Sequence, residues 1–357
     1  MKKILIIDPY IDTLGGGEKY VLDIADVLNN RGYNVTLHSS DKTILNKIRN
    51  RFNIKTDNFN LIDYYSLNKL SKFNFLKSFE KVIYVTDGSY FYCPAKENYL
   101  LAMYPKEELY QPSLTNKIKW RNWNFFCFSS FTKNYIDQWI GKKCYVIYPK
   151  IDQHLLNINA RSRKNVILSV GRFFGQLHTK NHVFLIDSFN KLQQRDKAFK
   201  NFELILIGGL KQEDDDYYRK IFTYAKTNKN IKFLTNASNQ ELLKNYQQAM
   251  FYWHASGIGI NEKVYPEKVE HFGITPFEAM AAGAIPFVYP VGELKSLIDN
   301  GNNGFIYNNQ QELIDKTIKI YSDKQLKSKI TANGRKFIKD NLDGAHFEEN
   351  VVNFFKL

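Results

Sequence analysis

Two glutamates, Glu270 and Glu278, stand eight positions apart in the segment EHFGITPFEAMAAG, with Gly273 between them and an alanine-rich stretch after them. A glycine-bearing turn that leads into a helix presents backbone N–H groups and the positive end of the helix dipole to one cavity. Carboxylates beside such a turn accept hydrogen bonds from hydroxyl pairs, so Glu278 suits a ribose diol and Glu270 a sugar. We expect Glu278 to begin the alanine-rich helix. Upstream, Arg172 and Lys180 lie eight residues apart around the end of an apolar run, NVILSV. Two fixed cations meeting one pocket stabilise a leaving diphosphate more than its bound precursor, Arg172 in bidentate fashion and Lys180 as a point charge. His178 and His182 flank Lys180, but with no third ligand nearby no metal centre is expected. A third anion-binding element is Gly15-Gly16-Gly17, a glycine break before a helical pattern, whose amides suit a diphosphate. Glu18 behind it reads as a helix cap. Asp87-Gly88-Ser89 follows the run KVIYVT, where strand-end polar groups contact a ligand or cap a turn.

These groups need a scaffold that carries loops at strand ends. Lys3–Ile7 reads as a buried strand, Tyr20, Val21, Ile24, Ala25 and Leu28 recur with helical spacing, and strands follow at 34–38, 81–86, 124–129 and 144–148. After Pro149 the segment IDQHLLNINARSRKN loses periodicity and reads as a linker. A second alternating series then runs through a strand at 165–170, a helix at 183–192 and a strand at 202–207. Two successive βαβ series predict two Rossmann-like α/β domains, residues 1–157 and 158–342. The apolar face of 347–355 needs a cover, and helix 343–357 is expected to rejoin the first domain.

Bulk properties narrow the function classes. A chain of 357 residues is long enough for two cores, and 44% hydrophobic with 24% charged residues is globular rather than disordered. Three cysteines, Cys93, Cys127 and Cys144, without close pairing fit a reducing compartment, so a cytoplasmic location is expected. The apolar run at 4–7 is too short for a secretory core, and 279–291 is broken by Gly283, Pro286 and Pro290, so no spanning helix is expected. Net charge is +14, and residues 42–150 hold 18 Lys/Arg against 8 Asp/Glu. That excess suits an anionic membrane surface or a phosphorylated acceptor; nothing in the chain resembles a nucleic-acid-binding module.

The 270–283 segment closely resembles the retaining glycosyltransferases of family 4, whose pattern is a pair of glutamates separated by seven residues before an alanine-rich helix. The resemblance extends to GGGEKY, to VGRFF…HTKNH, to IGG after the next strand, and to FLTNASNQELLKNYQQAMFYWHAS. It implies a GT-B architecture, two Rossmann-like domains facing a central cleft. It further implies transfer of a hexose from a nucleotide sugar, GDP-mannose first and a UDP-sugar second, to a glycan or lipid-linked glycan in surface polysaccharide or glycoconjugate synthesis. By the same resemblance Glu278 binds ribose, Glu270 the sugar hydroxyls, and Arg172 and Lys180 the diphosphate. Phe272, Gly273 and Ile274 then offer amides to sugar and phosphate, and Gly16 and Gly17 close on the phosphates from the other domain. No metal or further cofactor is implied, and a donor phosphate oxygen takes the acceptor proton. Asp87 and Ser89 fall where the acceptor lies. Two other readings use the same motifs: a non-catalytic sugar-nucleotide-binding subunit, and a GT-B sugar-nucleotide epimerase.

Overall fold

The short apolar runs become parallel strands buried on both faces, because helices of the crossover connections cover each side. The computed structural model describes residues 2–158, 163–175 and 180–357. Its chain divides into two compact units, residues 1–149 with 345–357, and residues 150–344.

The first unit carries β1 (Lys3–Ile7), α1 (Gly16–Asn30), β2 (Asn34–His38), α2 (Ile44–Phe52), β3 (Asn60–Ile62), α3 (Lys69–Lys77) and β4 (Lys81–Val85). It continues through β5 (Glu97–Leu101), α4 (Leu114–Lys119), β6 (Trp123–Cys127), α5 (Ser130–Ile140) and β7 (Tyr145–Val146). The sheet order is β3-β2-β1-β4-β5-β6-β7, every pairing parallel, with Ile4 opposite Val35 on one side and Leu5 opposite Val82 on the other. Successive strands run outward from β1 through β2 to β3, then return to continue from β4 in the opposite direction. Right-handed crossovers therefore place α1 and α2 on one face and α3, α4 and α5 on the other. The buried clusters agree: Tyr20, Val21, Ile44 and Ile48 fill one face, and Leu76, Trp120, Ile136 and Ile140 the other.

The second unit opens with α6 (Gln153–Leu156) and β8 (Val166–Val170), followed by α7 (His182–Arg195), β9 (Glu203–Gly208), α8 (Asp215–Ala225), β10 (Ile231–Thr235), α9 (Asn239–Gln248) and β11 (Phe251–His254). It ends with α10 (Ile274–Ala282), β12 (Ile285–Val288), α11 (Leu294–Leu297), β13 (Phe305–Ile306), α12 (Gln310–Ser322) and α13 (Lys324–Asn341). Its sheet runs β10-β9-β8-β11-β12-β13, all parallel. The unit begins at Lys150, ahead of the 158 expected from the polar linker, because Ile151 N–H bonds to Leu342 O at 2.8 Å and Leu155 is buried. That polarity belongs to an exposed helical turn, with Asp152 capping α6 through the His154 amide.

The last helix, α14 (Gly344–Phe355), belongs to the first unit. Phe347, Val351 and Phe355 recur at four-residue spacing and are buried in the α1 face of its core. Phe347 meets Tyr20 edge-on at 6.1 Å, Phe355 meets Phe126 at 5.6 Å, and Glu348 pairs with Arg31 at 2.7 Å. Each buried side chain of this kind contributes about 1.5–3 kcal/mol.

Candidate active site

In an open parallel sheet a ligand sits outside the carboxyl ends of the strands, where the direction of strand order reverses. In the second unit that point lies between β8 and β11. The chain leaves β8 at Val170 into Gly171 and Arg172, and leaves β11 at His254 into Ala255. Both exits reach the residues singled out by the sequence.

Lys180 is placed by its neighbours. A Cβ on Gly171 would lie 2.5 Å from Lys180 Cε and 2.6 Å from Cγ, so only glycine lets the lysine stem cross this backbone. Asn181 adopts a left-handed conformation, φ +50°, at the start of α7, and its side-chain amide donates to Ala255 O at 2.7 Å. The ammonium then donates to Glu270 Oε2 at 2.5 Å, with both side chains about four-fifths buried. His254 Nε2 lies 3.3 Å from the same oxygen. Burial pushes the Glu270 pKa up, yet the charge of Lys180 and the contact with His254 outweigh it and hold the carboxyl well below its usual range. Burial lowers the His254 pKa, which keeps that imidazole neutral near pH 7. Its Nε2–H then donates to Glu270, and buried Nδ1 has no partner among the described residues.

Glu278 sits on α10 and accepts from Tyr246 OH at 2.7 Å. Tyr246 stacks against Tyr252, whose hydroxyl donates to Val170 O at 3.2 Å and bonds with Thr275 Oγ1 at 2.7 Å. Burial raises the Tyr252 pKa to a value above the ordinary phenol range, and the charges of Glu278 and Glu270 add to the effect. Tyr252 therefore stands beside both glutamates.

The helix starts four residues before Glu278, not at it. Gly273, φ +82°, is its N-cap, and Pro276 occupies the first turn, where its missing N–H leaves no donor unmet. The amides of Ile274 and Thr275 lie in this first turn, where an α-helix supplies no partner, and glycine has no side chain to cap them. Phe272 is buried and packs on Phe277, centroids 5.2 Å apart.

Arg172 is the more open cation, its side chain 55% exposed, with the guanidinium 5.0 Å from the Phe174 ring and 4.0 Å from Asp214. Lys180 crosses Gly171 next to it, so both cations border the β8 exit. His178 lies outside the described residues. His182 is buried, and its Nδ1 lies 3.0 Å from Tyr217 OH.

In the first unit, Gly16 and Gly17 form the first turn of α1 and Gly15 its N-cap. Glu18 accepts from the Gly15 amide at 2.6 Å, closing the cap expected of it. Asp87 and Ser89 follow β4. Asp87 Oδ1 accepts from Ser89 N at 2.9 Å, Ser89 Oγ at 2.6 Å and Tyr84 OH at 2.9 Å.

His254, Asn181, Tyr246, Tyr252 and Thr275 were not singled out from the sequence. His254 carried a usable signal, the last residue of an apolar run that precedes Glu270. The two tyrosines read as ordinary core.

Two parallel α/β sheets with strand-end sites define a GT-B glycosyltransferase fold. A glycosyltransferase of Rickettsia africae covers 99% of this chain and 98% of its own at TM-score 0.74 and 16% identity. Anabaena HepE, solved with UDP and glucose, covers 100% of both chains at TM-score 0.71 and 17% identity. The chain belongs to the glycosyl transferases group 1 family, whose family model matches residues 152–337. The mouse GDP-Man:Man(3)GlcNAc(2)-PP-Dol alpha-1,2-mannosyltransferase is 31% identical over 177 residues, 46% of this chain and 33% of that protein. An uncharacterized glycosyltransferase of Methanocaldococcus jannaschii is 26% identical over 217 residues, 60% and 54%. The chain thus matches between a third and about half of the length of these curated relatives.

Proposed function

We propose that the chain is a retaining hexosyltransferase of family 4 that moves a sugar from a nucleotide donor to a glycan or lipid-linked glycan. The observation that carries this is the Lys180–Glu270–His254 cluster at the β8/β11 switch point, beside exposed Arg172. In the donor complex the diphosphate draws Lys180 and Arg172, and Glu270 turns to the sugar hydroxyls while His254 keeps its hydrogen bond. Glu278, held by Tyr246, receives the ribose diol. As the bond from the anomeric carbon to the diphosphate breaks, negative charge grows on the leaving oxygen, and the two cations stabilise it. The acceptor oxygen bonds to that carbon on the same face, and its proton passes to the departing diphosphate.

GDP-mannose stands first as donor, supported by the mouse relative's name, and a UDP-sugar second, supported by the UDP and glucose of HepE. The acceptor belongs to surface polysaccharide or glycoconjugate synthesis. A thermal-shift panel of GDP-, UDP- and ADP-sugars decides the base: one donor at a hundred times its Kd should add about 2.7 kcal/mol of stability. The shift should be lost in Glu278→Ala, and diphosphate release should appear only with acceptor. Absence of any shift sinks the reading, and binding without turnover for any acceptor replaces it with a binding role.

Work at the cytoplasmic membrane face is part of this proposal, supported by α3 and α4, which the crossovers place on one face of the first unit. Leu70, Phe73, Leu114 and Ile118 are exposed there among exposed Lys69, Lys77, Lys117, Lys119 and Arg121, and neither helix contains an acidic residue. Among the described residues no helix is long and apolar enough to cross a membrane. Near an anionic surface each cation contributes about 1 kcal/mol. The protein should co-sediment with phosphatidylglycerol vesicles and much less with phosphatidylcholine. Binding should fall in 1 M salt, where the screening length drops to about 3 Å, and in Leu70→Asp/Leu114→Asp. Equal binding to both vesicles would remove the membrane from the proposal.

A further inference from the structure

We propose that the first unit holds, at the switch point between β1 and β4, a binding site for a neutral pyranose built from Tyr10, Tyr65, Asp8 and Asp87. Calling that sugar the acceptor rests on the transferase reading above; the binding itself does not. Strand order in this sheet reverses at β1, as it does at β8 in the second unit, so the crevice outside the carboxyl ends of β1 and β4 is the place for a ligand. Asp8 is the first residue after β1, and Asp87 follows β4 by two.

Asp8 is the observation that needs a ligand. The residue is 2% exposed; its Oδ1 accepts from Tyr10 N at 2.9 Å, and Oδ2 has no partner among the described residues. A buried carboxyl oxygen without a partner costs free energy unless a bound group satisfies it. Asp87 directs its described bonds onto Oδ1, from Tyr84 and Ser89, and is itself exposed.

Two half-exposed phenol rings accompany these carboxyls, Tyr10 at 46% and Tyr65 at 48%. Tyr65 is fixed from behind by the His38 ring, edge-on at 4.5 Å, and His38 Nδ1 accepts the Tyr64 amide at 3.2 Å. Burial, then the charges of Asp87 and Asp8, raise the pKa of both phenols, so rings and carboxyls share one neighbourhood.

An aromatic face takes the C–H face of a pyranose, and carboxylates accept from its hydroxyls. The charge in this crevice selects against anions. Asp12 and Glu18 both act on Asp8, and Asp87 acts on both rings; of the cations, Lys72 lies 5.6 Å from the Tyr65 ring, and Lys47, which also interacts with Asp12, is paired with Asp41. Although the first unit is strongly basic elsewhere, a phosphorylated or uronic sugar would meet repulsion here. The ligand is therefore a neutral, hydroxyl-rich ring, not the anionic acceptor that net charge alone suggests.

The test is saturation-transfer NMR on the full chain with methyl glycosides of glucose, galactose, mannose and N-acetylglucosamine, against their 6-phosphates and glucuronic acid. At least one neutral glycoside should bind, at least about tenfold tighter than its charged counterpart, a difference equivalent to 1.4 kcal/mol. Tyr65→Ala should weaken it about tenfold, and Tyr65→Phe, which keeps the ring, should restore it. Nucleotide-sugar binding, read by thermal shift, should be unchanged in Tyr65→Ala, and a urea melt that matches the native protein's shows that the first unit of the variant is folded. Failure of every neutral glycoside, preference for the charged ones, or indifference to Tyr65→Ala overturns the site. Loss of nucleotide binding by the native protein overturns the transferase reading instead.

Discussion

Lys180→Ala should slow sugar transfer by about 10²–10³-fold, with the loss mainly in kcat, because leaving-group charge is greatest in the transition state. The same change strips Glu270 of its nearest cation. Burial then acts on the carboxylate with only His254 against it, and its pKa should climb. Breaking one side of such a pair costs about 3–5 kcal/mol when both charges are deeply buried; here each side chain keeps about a fifth of its exposure, so about 2 kcal/mol is expected. Activity loss could then be mistaken for unfolding. Lys180→Ala/Glu270→Gln removes both charges and separates the two effects: stability should recover toward the native value while transfer stays lost. Denaturant melts and initial rates of nucleoside diphosphate release check both. Activity in Lys180→Ala within about threefold of native would show that leaving-group charge is stabilised elsewhere.

Why this cluster was only half legible in the sequence follows from where its bonds run. Glu270 and Glu278 announce themselves through local spacing. Lys180 stands 90 positions from the carboxylate it meets, and Tyr246 stands 32 from Glu278. Such pairs are created by adjacent parallel strands, and their register is a tertiary property. Many strands are readable because apolar runs bounded by turn residues have few alternatives, whereas β5, NYLL within a polar surround, and the short β3, β12 and β13 are not. Helix starts were less secure. Placing the start of α10 at Glu278 ignored two local facts, that glycine at 273 takes a left-handed cap and that proline fits a first turn. The polar segment after Pro149 is ambiguous for another reason: exposure and polarity mark a surface turn, here α6, as well as a boundary. Charge was the least legible quantity, since a net excess over 42–150 says nothing of its distribution. Folding puts lysines on α3 and α4 and gathers Asp8, Asp12, Glu18 and Asp87 at the sheet's carboxyl end.

That gathering makes Asp8→Asn a gain of stability whose size depends on pH. Burial first, then the neighbouring charges of Glu18 and Asp12, raise the Asp8 pKa from 3.8 to about 7, against the bond from the Tyr10 amide. Between those two values the folded protein holds a proton that the unfolded chain releases. Stability is therefore greatest, as far as this group is concerned, below pH 3.8, and declines as pH rises to about 7. A shift of this size corresponds to an upper figure of about 4 kcal/mol at pH 8. Asparagine keeps the oxygen that accepts from Tyr10 and carries no charge at any pH. The variant should match the native protein near pH 4 and exceed it by about 2–4 kcal/mol at pH 8, in urea melts at both pH values. Parallel curves for the two proteins would mean that Asp8 is ionised and solvated in the fold. A gain of this size would show that the chain retains an acid where a neutral side chain is more stable, as expected where stability is traded for binding a ligand. The same variant should lose affinity for a neutral glycoside, because the amide nitrogen that replaces Oδ2 donates and cannot accept from a sugar hydroxyl.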